Sequence, residues 1–86
     1  MADASTAETI ARAILQVFKD RNRRVGESVI RELLQSTVAP PGGPYTEADF
    51  NEGLQYAGRE GWVNIQGTQI HLNPRGKNAM RQAGGS

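Results

Sequence analysis

From Trp62 onward the apolar residues of the chain stop recurring every three or four positions and begin to alternate. The run is Trp62-Val63-Asn64-Ile65-Gln66, then Gly67-Thr68, then Gln69-Ile70-His71-Leu72-Asn73. A period of two marks a strand with one buried face. Gly67 at the first central position of a two-residue turn closes the two runs into a hairpin. That turn pairs Ile65 with Ile70 and Val63 with Leu72 on one face, and it leaves Asn64, Gln66, Gln69 and His71 on the other. A lone hairpin is marginal in water, so its apolar face must lie on helices.

Upstream of Trp62 the period is helical. Ser5-Thr6-Ala7-Glu8 reads as a capping box, in which the Ser5 hydroxyl accepts from an amide three residues on while Glu8 reaches back. Ile10, Ile14, Val17 and Phe18 then form one stripe, and Ala7, Ala11 and Ala13 favour helix, so a first helix is expected over 6–21. Asp20-Arg21-Asn22-Arg23-Arg24 is too polar to extend the stripe, and Val25-Gly26 leaves room for one very short strand. From Glu27, whose charge suits a helix N-terminus, Val29, Ile30, Leu33 and Leu34 share a face of a short second helix.

Ala39-Pro40-Pro41-Gly42-Gly43-Pro44 removes backbone donors and admits no regular element, so it reads as a widened connection between two packed helices. Thr46 and Asp49 repeat the capping logic at the start of a third helix. Phe50, Gly53, Leu54 and Ala57 fall on its inner face, and Asn51, Glu52, Gln55, Tyr56 and Arg59 on the opposite one. Gly53 costs about 1 kcal/mol of helix propensity but allows another helix to come close. Either Gly58 or Gly61 can supply the left-handed residue that ends the helix. Asn73-Pro74 opens a closing helix over 75–82 with Ala79 and Met80 inward.

A chain of 86 residues has room for one small domain, expected over 6–82 between flexible ends at 1–5 and 83–86. With no cysteine it has neither disulfides nor a thiolate zinc site, so packing alone must stabilise it. No run approaches the roughly 20 apolar residues that cross a bilayer, and the start lacks the basic and apolar regions of a signal peptide, so a cytoplasmic location is expected. Residues 1–60 hold seven basic and nine acidic side chains, while the remainder holds Arg75, Lys77 and Arg81 with no acid. The C-terminal third is therefore the basic part.

The order of helix, short strand, helix, helix and two-stranded hairpin resembles the winged helix-turn-helix family, an α+β class that is mainly α. The run from Phe50 to Val63, Phe50-Asn51-Glu52-Gly53-Leu54-Gln55-Tyr56-Ala57-Gly58-Arg59-Glu60-Gly61-Trp62-Val63, is similar to that family's third helix passing through a glycine into the first wing strand. Ile70-His71-Leu72-Asn73-Pro74-Arg75-Gly76-Lys77 is similar to its second wing strand and exit. The resemblance covers about 6–82 and departs at 37–45, where the family has a tight turn. It implies a three-helix core, a short strand, a wing hairpin and a short C-terminal helix, with the third helix offered to the major groove of duplex DNA. On that implication Asn51, Gln55, Tyr56 and Arg59 would read bases. Arg24, Ser28, Thr68, Arg75 and Lys77 would meet the backbone, Ser28 through a helix N-terminus.

Other features of the sequence argue differently. Glu47, Asp49 and Glu52 put three carboxylates in the first two turns of the third helix, where they repel phosphate, and the Gln66-Gly67-Thr68-Gln69 tip carries no cation. Arg21, Arg23 and Arg24 complement a helix C-terminus as readily as they form a patch. The lone His71 lacks partners for a metal site. Trp62 at the helix–hairpin junction suits packing, and Tyr56 on the polar face suits stacking. No serine has a histidine base at a recognisable spacing and no phosphate-binding glycine loop is present, so neither an enzyme nor a cofactor is expected. Two functions remain: a small DNA-binding regulator, for which pairing as a homodimer would double the contacts, and a protein-interaction module that uses the acidic third helix and the Pro/Gly loop.

Overall fold

The computed structural model describes the backbone of residues 4–85 and the side chains of residues 6–79. The chain folds as a small α+β domain, mostly helical, with elements in the order α1 (Ala4–Asp20), β1 (Ser28–Ile30), α2 (Arg31–Val38), α3 (Glu47–Arg59), β2 (Val63–Gln66), β3 (Gln69–Leu72) and α4 (Pro74–Gly85). The three strands form one antiparallel sheet in the order β1-β3-β2.

α1 carries the stripe expected of it. Ile10, Ile14 and Phe18 are fully buried and Val17 nearly so, together with Ala11 and Leu15. The helix begins at Ala4, one residue ahead of Ser5, so Ser5 lies in the first turn rather than at the cap, and its side chain is outside the described residues. Glu8 is engaged elsewhere: it accepts from Arg12 Nε at 3.0 Å on its own helix. At the other end the Arg23 amide reaches the Phe18 carbonyl (2.9 Å), the Asn22 amide reaches Lys19 (3.0 Å), and Asn22 has φ +55. That is a Schellman closure with asparagine as the left-handed residue.

The short strand lies three residues later than expected. Val25 is exposed, while Val29, expected on a helix, is buried in β1 and pairs with Ile70. Two consecutive β-branched residues favour the extended chain, and pairing with β3 satisfies backbone groups that a helix start would leave open. The cost falls on Ile30, which points to the outer face of the sheet and is 57% exposed. α2 therefore begins at Arg31, with the extended Ile30 at its N-cap and no side-chain capping bond.

The 39–46 connection contains a fixed turn. The Gly43 amide donates to the Pro40 carbonyl at 2.9 Å, Pro41 occupies the second position and Gly42 has φ +80, the arrangement of a type II turn. Buried Ala39 and half-buried Tyr45 anchor its two ends to the core. The capping box of α3 forms as expected: Thr46 Oγ1 accepts from the Asp49 amide and Asp49 Oδ2 from the Thr46 amide, each at 3.1 Å.

α3 buries Phe50, Gly53, Leu54 and Ala57 against α1. Its exit is a second Schellman closure, with Gly61 at φ +75, its amide on Gly58 (3.1 Å) and the Trp62 amide on Ala57 (2.9 Å). Gly58 is instead the place where Ile65 crosses the helix, since a Cβ there would lie 3.2 Å from Ile65 Cδ1.

The hairpin register agrees with the expectation: Val63 faces Leu72, Asn64 faces His71, Ile65 faces Ile70 and Gln66 faces Gln69. Gly67 has φ +61 at the first turn position. Val63, Ile70 and Leu72 are buried, whereas Ile65 at the β2 edge remains 40% exposed. α4 runs to Gly85, beyond the expected stop at Gln82. Ala79 packs on the core, and the Met80 side chain lies outside the described residues. Among the described residues no helix is long and apolar enough to cross a membrane.

Candidate nucleic-acid interface

α3 and the hairpin share one exposed side, and their arrangement decides which polar groups reach solvent. Helical spacing of about 100° per residue puts Ala48, Glu52, Gln55 and Arg59 on the outward ridge of α3, with Asn51 on one flank and Tyr56 on the other. Ala48, Gln55 and Arg59 are exposed and Glu52 is half-buried.

The two flanking residues are both engaged. Asn51 Oδ1 accepts from the guanidinium of Arg31 (Nη2), the first residue of α2. The Arg31 amide in turn donates to the Thr68 carbonyl in the hairpin turn at 2.7 Å. Arg31 therefore ties α2, α3 and the hairpin together, a role its sequence context did not signal beyond its place just after two β-branched residues.

Tyr56, expected on the outward polar face, turns toward α1. Its ring meets Trp62 edge-on with centroids 5.8 Å apart, and its hydroxyl lies 3.5 Å from Glu8 Oε1. The Arg12 guanidinium sits 5.3 Å from the centroid of the Trp62 ring. Partial burial, the carboxylates of Glu8 and Glu60 and the bond to Glu8 raise the Tyr56 phenol above its ordinary pKa, against a smaller opposing pull from Arg12. Trp62 itself is only 9% exposed and is a packing residue.

The backbone-contact candidates lie apart from the hairpin tip, except Thr68. Ser28 opens the edge strand β1 opposite His71 rather than lying at a helix N-terminus, because α2 starts three residues later. Its expected role at a helix dipole therefore has no structural basis. Arg24 is exposed on the turn after α1, and its amide donates to Glu27 Oε1 at 2.7 Å. That turn is laced to the end of β3, with the Gly26 amide on the Leu72 carbonyl (2.9 Å) and the Leu72 amide on Glu27 (3.0 Å). Arg75 and Lys77 follow at once in α4, both exposed. The Arg75 stem lies over Gly61, since a Cβ there would be 3.1 Å from Arg75 Cδ, and Gly61 is two residues past Arg59.

The cations thus gather at the root of the hairpin and the C-terminal half of α3. The acids Glu47, Asp49 and Glu52 lie in its N-terminal half, and Glu60 stands at its C-cap beside Arg59.

The outer face of the sheet presents Ser28, Ile30, Asn64, Gln66, Gln69 and His71, and His71 Nδ1 lies 3.3 Å from the Gly26 carbonyl. No group of three or more His, Cys, Asp or Glu residues that could hold a metal occurs among the described residues. No protein-family model, curated protein or solved structure matches the chain.

Proposed function

We propose that the chain is a winged-helix domain that binds duplex DNA through the C-terminal half of α3 and the root of the hairpin. Sheet order β1-β3-β2, the hairpin beside α3 and the Arg31 tie between them support the winged-helix reading. The observation that carries the DNA reading is the pairing of exposed Gln55 and Arg59, one helical turn apart, with Arg75 lying over Gly61 just past the same end of α3; exposed Lys77 follows on α4, and exposed Arg24 lies on the turn hydrogen-bonded to Leu72. Gln grips adenine and Arg grips guanine through paired bonds, each worth about 1–3 kcal/mol of discrimination. Asn51 and Tyr56 drop out of the reading set, because Asn51 Oδ1, one half of a paired grip on adenine, and the Tyr56 hydroxyl already have partners in the fold.

Titration of a labelled duplex at about 50 and 200 mM salt tests the proposal, since release of counterions from the phosphates makes binding fall steeply with salt. Arg59→Ala is expected to weaken binding by about 1–3 kcal/mol without changing the melting temperature. Weak binding indifferent to salt, or an Arg59→Ala variant that binds like the parent, refutes it. The second reading, a winged-helix module for protein partners, is favoured by the carboxylates at the start of α3 and by exposed Ile30.

A further inference from the structure

We infer that the groove beneath the 39–46 connection is a docking site for an extended protein segment that carries arginine or lysine between apolar residues. The inference stands on a part of the molecule that the DNA reading does not use.

The groove is an open depression of about 510 Å3 between α2 and the start of α3. Its apolar wall is built from Ala39, Pro40, Pro41 and Tyr45, and its rims carry Glu32 and Glu47. A second hollow of about 330 Å3, lined by Ile30, Glu32, Leu33 and Ser36, shares Glu32 and Ser36 with the first. The two depressions flank the Glu32–Ser36 ridge of α2, one bounded by the proline turn and the other by Ile30, the most exposed large apolar side chain of the described residues. An extended segment crossing that ridge meets apolar surface on either side of Glu32.

The turn that shapes one end is fixed before any partner arrives. Two prolines, a left-handed glycine and the Gly43–Pro40 bond hold it, so little ordering entropy opposes docking. Charge selects the occupant. Glu32 and Glu47 are exposed, and among the described residues neither takes part in an ion pair; the pairs present are Arg12–Glu8 and Arg23–Glu27. Two unpaired carboxylates above proline, tyrosine and isoleucine surfaces complement a cationic head on an apolar stem and repel an acidic segment or a phosphate.

The probe is a fluorescein-labelled nonapeptide with two arginines separated by leucine and valine, alongside the same peptide with citrulline in place of arginine. Anisotropy titration of the full chain at about 50 mM salt is expected to give saturable binding of the arginine peptide and about tenfold weaker binding of the citrulline peptide. The Glu32→Gln/Glu47→Gln variant is expected to lose about tenfold in affinity for the arginine peptide. Glu60→Gln, about 20 Å along α3 from Glu47, is expected to leave it unchanged. Circular dichroism melts establish that both variants fold.

Absence of saturable binding, equal affinity for the citrulline peptide, or an equal loss in Glu60→Gln overturns the inference. So does sedimentation that shows a dimer dispersed by the Glu32→Gln/Glu47→Gln substitution, which would assign the groove to a second copy of the chain. The duplex titration described above is read on a different face, so failure of either leaves the other standing.

Discussion

Replacing Gly53 by alanine tests the packing that sets α3 against α1. In an isolated helix the change would stabilise by about 1 kcal/mol, because alanine is the best helix former and glycine among the worst. Here the added Cβ would lie 2.3 Å from Ile10 Cγ2 and 2.5 Å from Ile10 Cβ, with the Ala7 carbonyl at 3.3 Å. Ordinary carbon contact begins at about 3.5 Å, so the helices must separate by roughly 1.2 Å at this point. A rotamer change at Ile10 cannot relieve the clash, since Ile10 is fully buried and its Cβ is fixed to the α1 backbone. Overpacking of this kind costs about 1–3 kcal/mol, and contact with a Cβ puts it at the upper end. After the propensity gain the net loss is about 2 kcal/mol, a fall of roughly 8–16 °C in melting temperature for a domain of this size. Thermal and urea unfolding followed by circular dichroism measure it. Combining the change with Ile10→Ala, which removes Cγ2, is expected to cost less than the sum of the two single substitutions. A Gly53→Ala protein as stable as the parent, or strict additivity in the pair, refutes the argument.

Thr46→Ala removes one half of the α3 capping box and is expected to lower the unfolding free energy by about 1 kcal/mol in urea denaturation. Gly76→Ala would bring a Cβ to 2.2 Å from the Trp62 carbonyl, so it is expected to destabilise by at least as much as Gly53→Ala; a melt matching the parent would show that α4 docks elsewhere. The raised phenol of Tyr56 means that the folded state holds its proton more tightly than the unfolded state. The stability this confers is present in full below pH 10, the ordinary tyrosine value, and is lost as pH climbs from there through the higher folded value. Urea midpoints measured across that window are expected to fall less steeply for Tyr56→Phe than for the parent.

The hairpin was legible residue by residue because alternation and a glycine turn leave only one register that buries Val63, Ile70 and Leu72 together. The stripe of α1 and the capping box at Thr46 were legible for the same reason, since each depends on residues within a few positions of one another; Gly53 was legible as a bare position on the inner face of α3, but its neighbour Ile10, on another helix, was not. β1 was not. Val29 and Ile30 fit a helical face and a strand equally well, and the choice was made by β3, some forty residues away, which local spacing does not encode. The candidate site suffered more from the same blindness. Asn51 and Tyr56 belong to a polar face on the helix alone, and only tertiary structure supplies Arg31 to the one and Glu8 and Trp62 to the other. Arg31 gave no signal, since its work is done through an amide on Thr68 and a guanidinium on a distant asparagine.

The distribution of charge along α3 constrains how a polyanion could approach. The first two turns hold Glu47, Asp49 and Glu52, the last holds Arg59, and Glu60 follows at the C-cap. On the outward ridge Glu52 and Arg59 cancel, so that helix face alone offers phosphate no net attraction. Attraction must come from neighbouring elements, and the backbone supplies it at one end only: the Arg24 turn is hydrogen-bonded to Leu72, and Arg75 lies over Gly61 just past the end of α3. The hairpin tip has no cation to add. A duplex would therefore meet this domain at the C-terminal half of α3 and the hairpin root, with the acidic start of α3 held away from the phosphates. Insertion of that start into the major groove would set three carboxylates among them. The same polarity frees the other end: Glu47, with Glu32 across the groove, faces a side of the domain that phosphate avoids and a cationic peptide would seek.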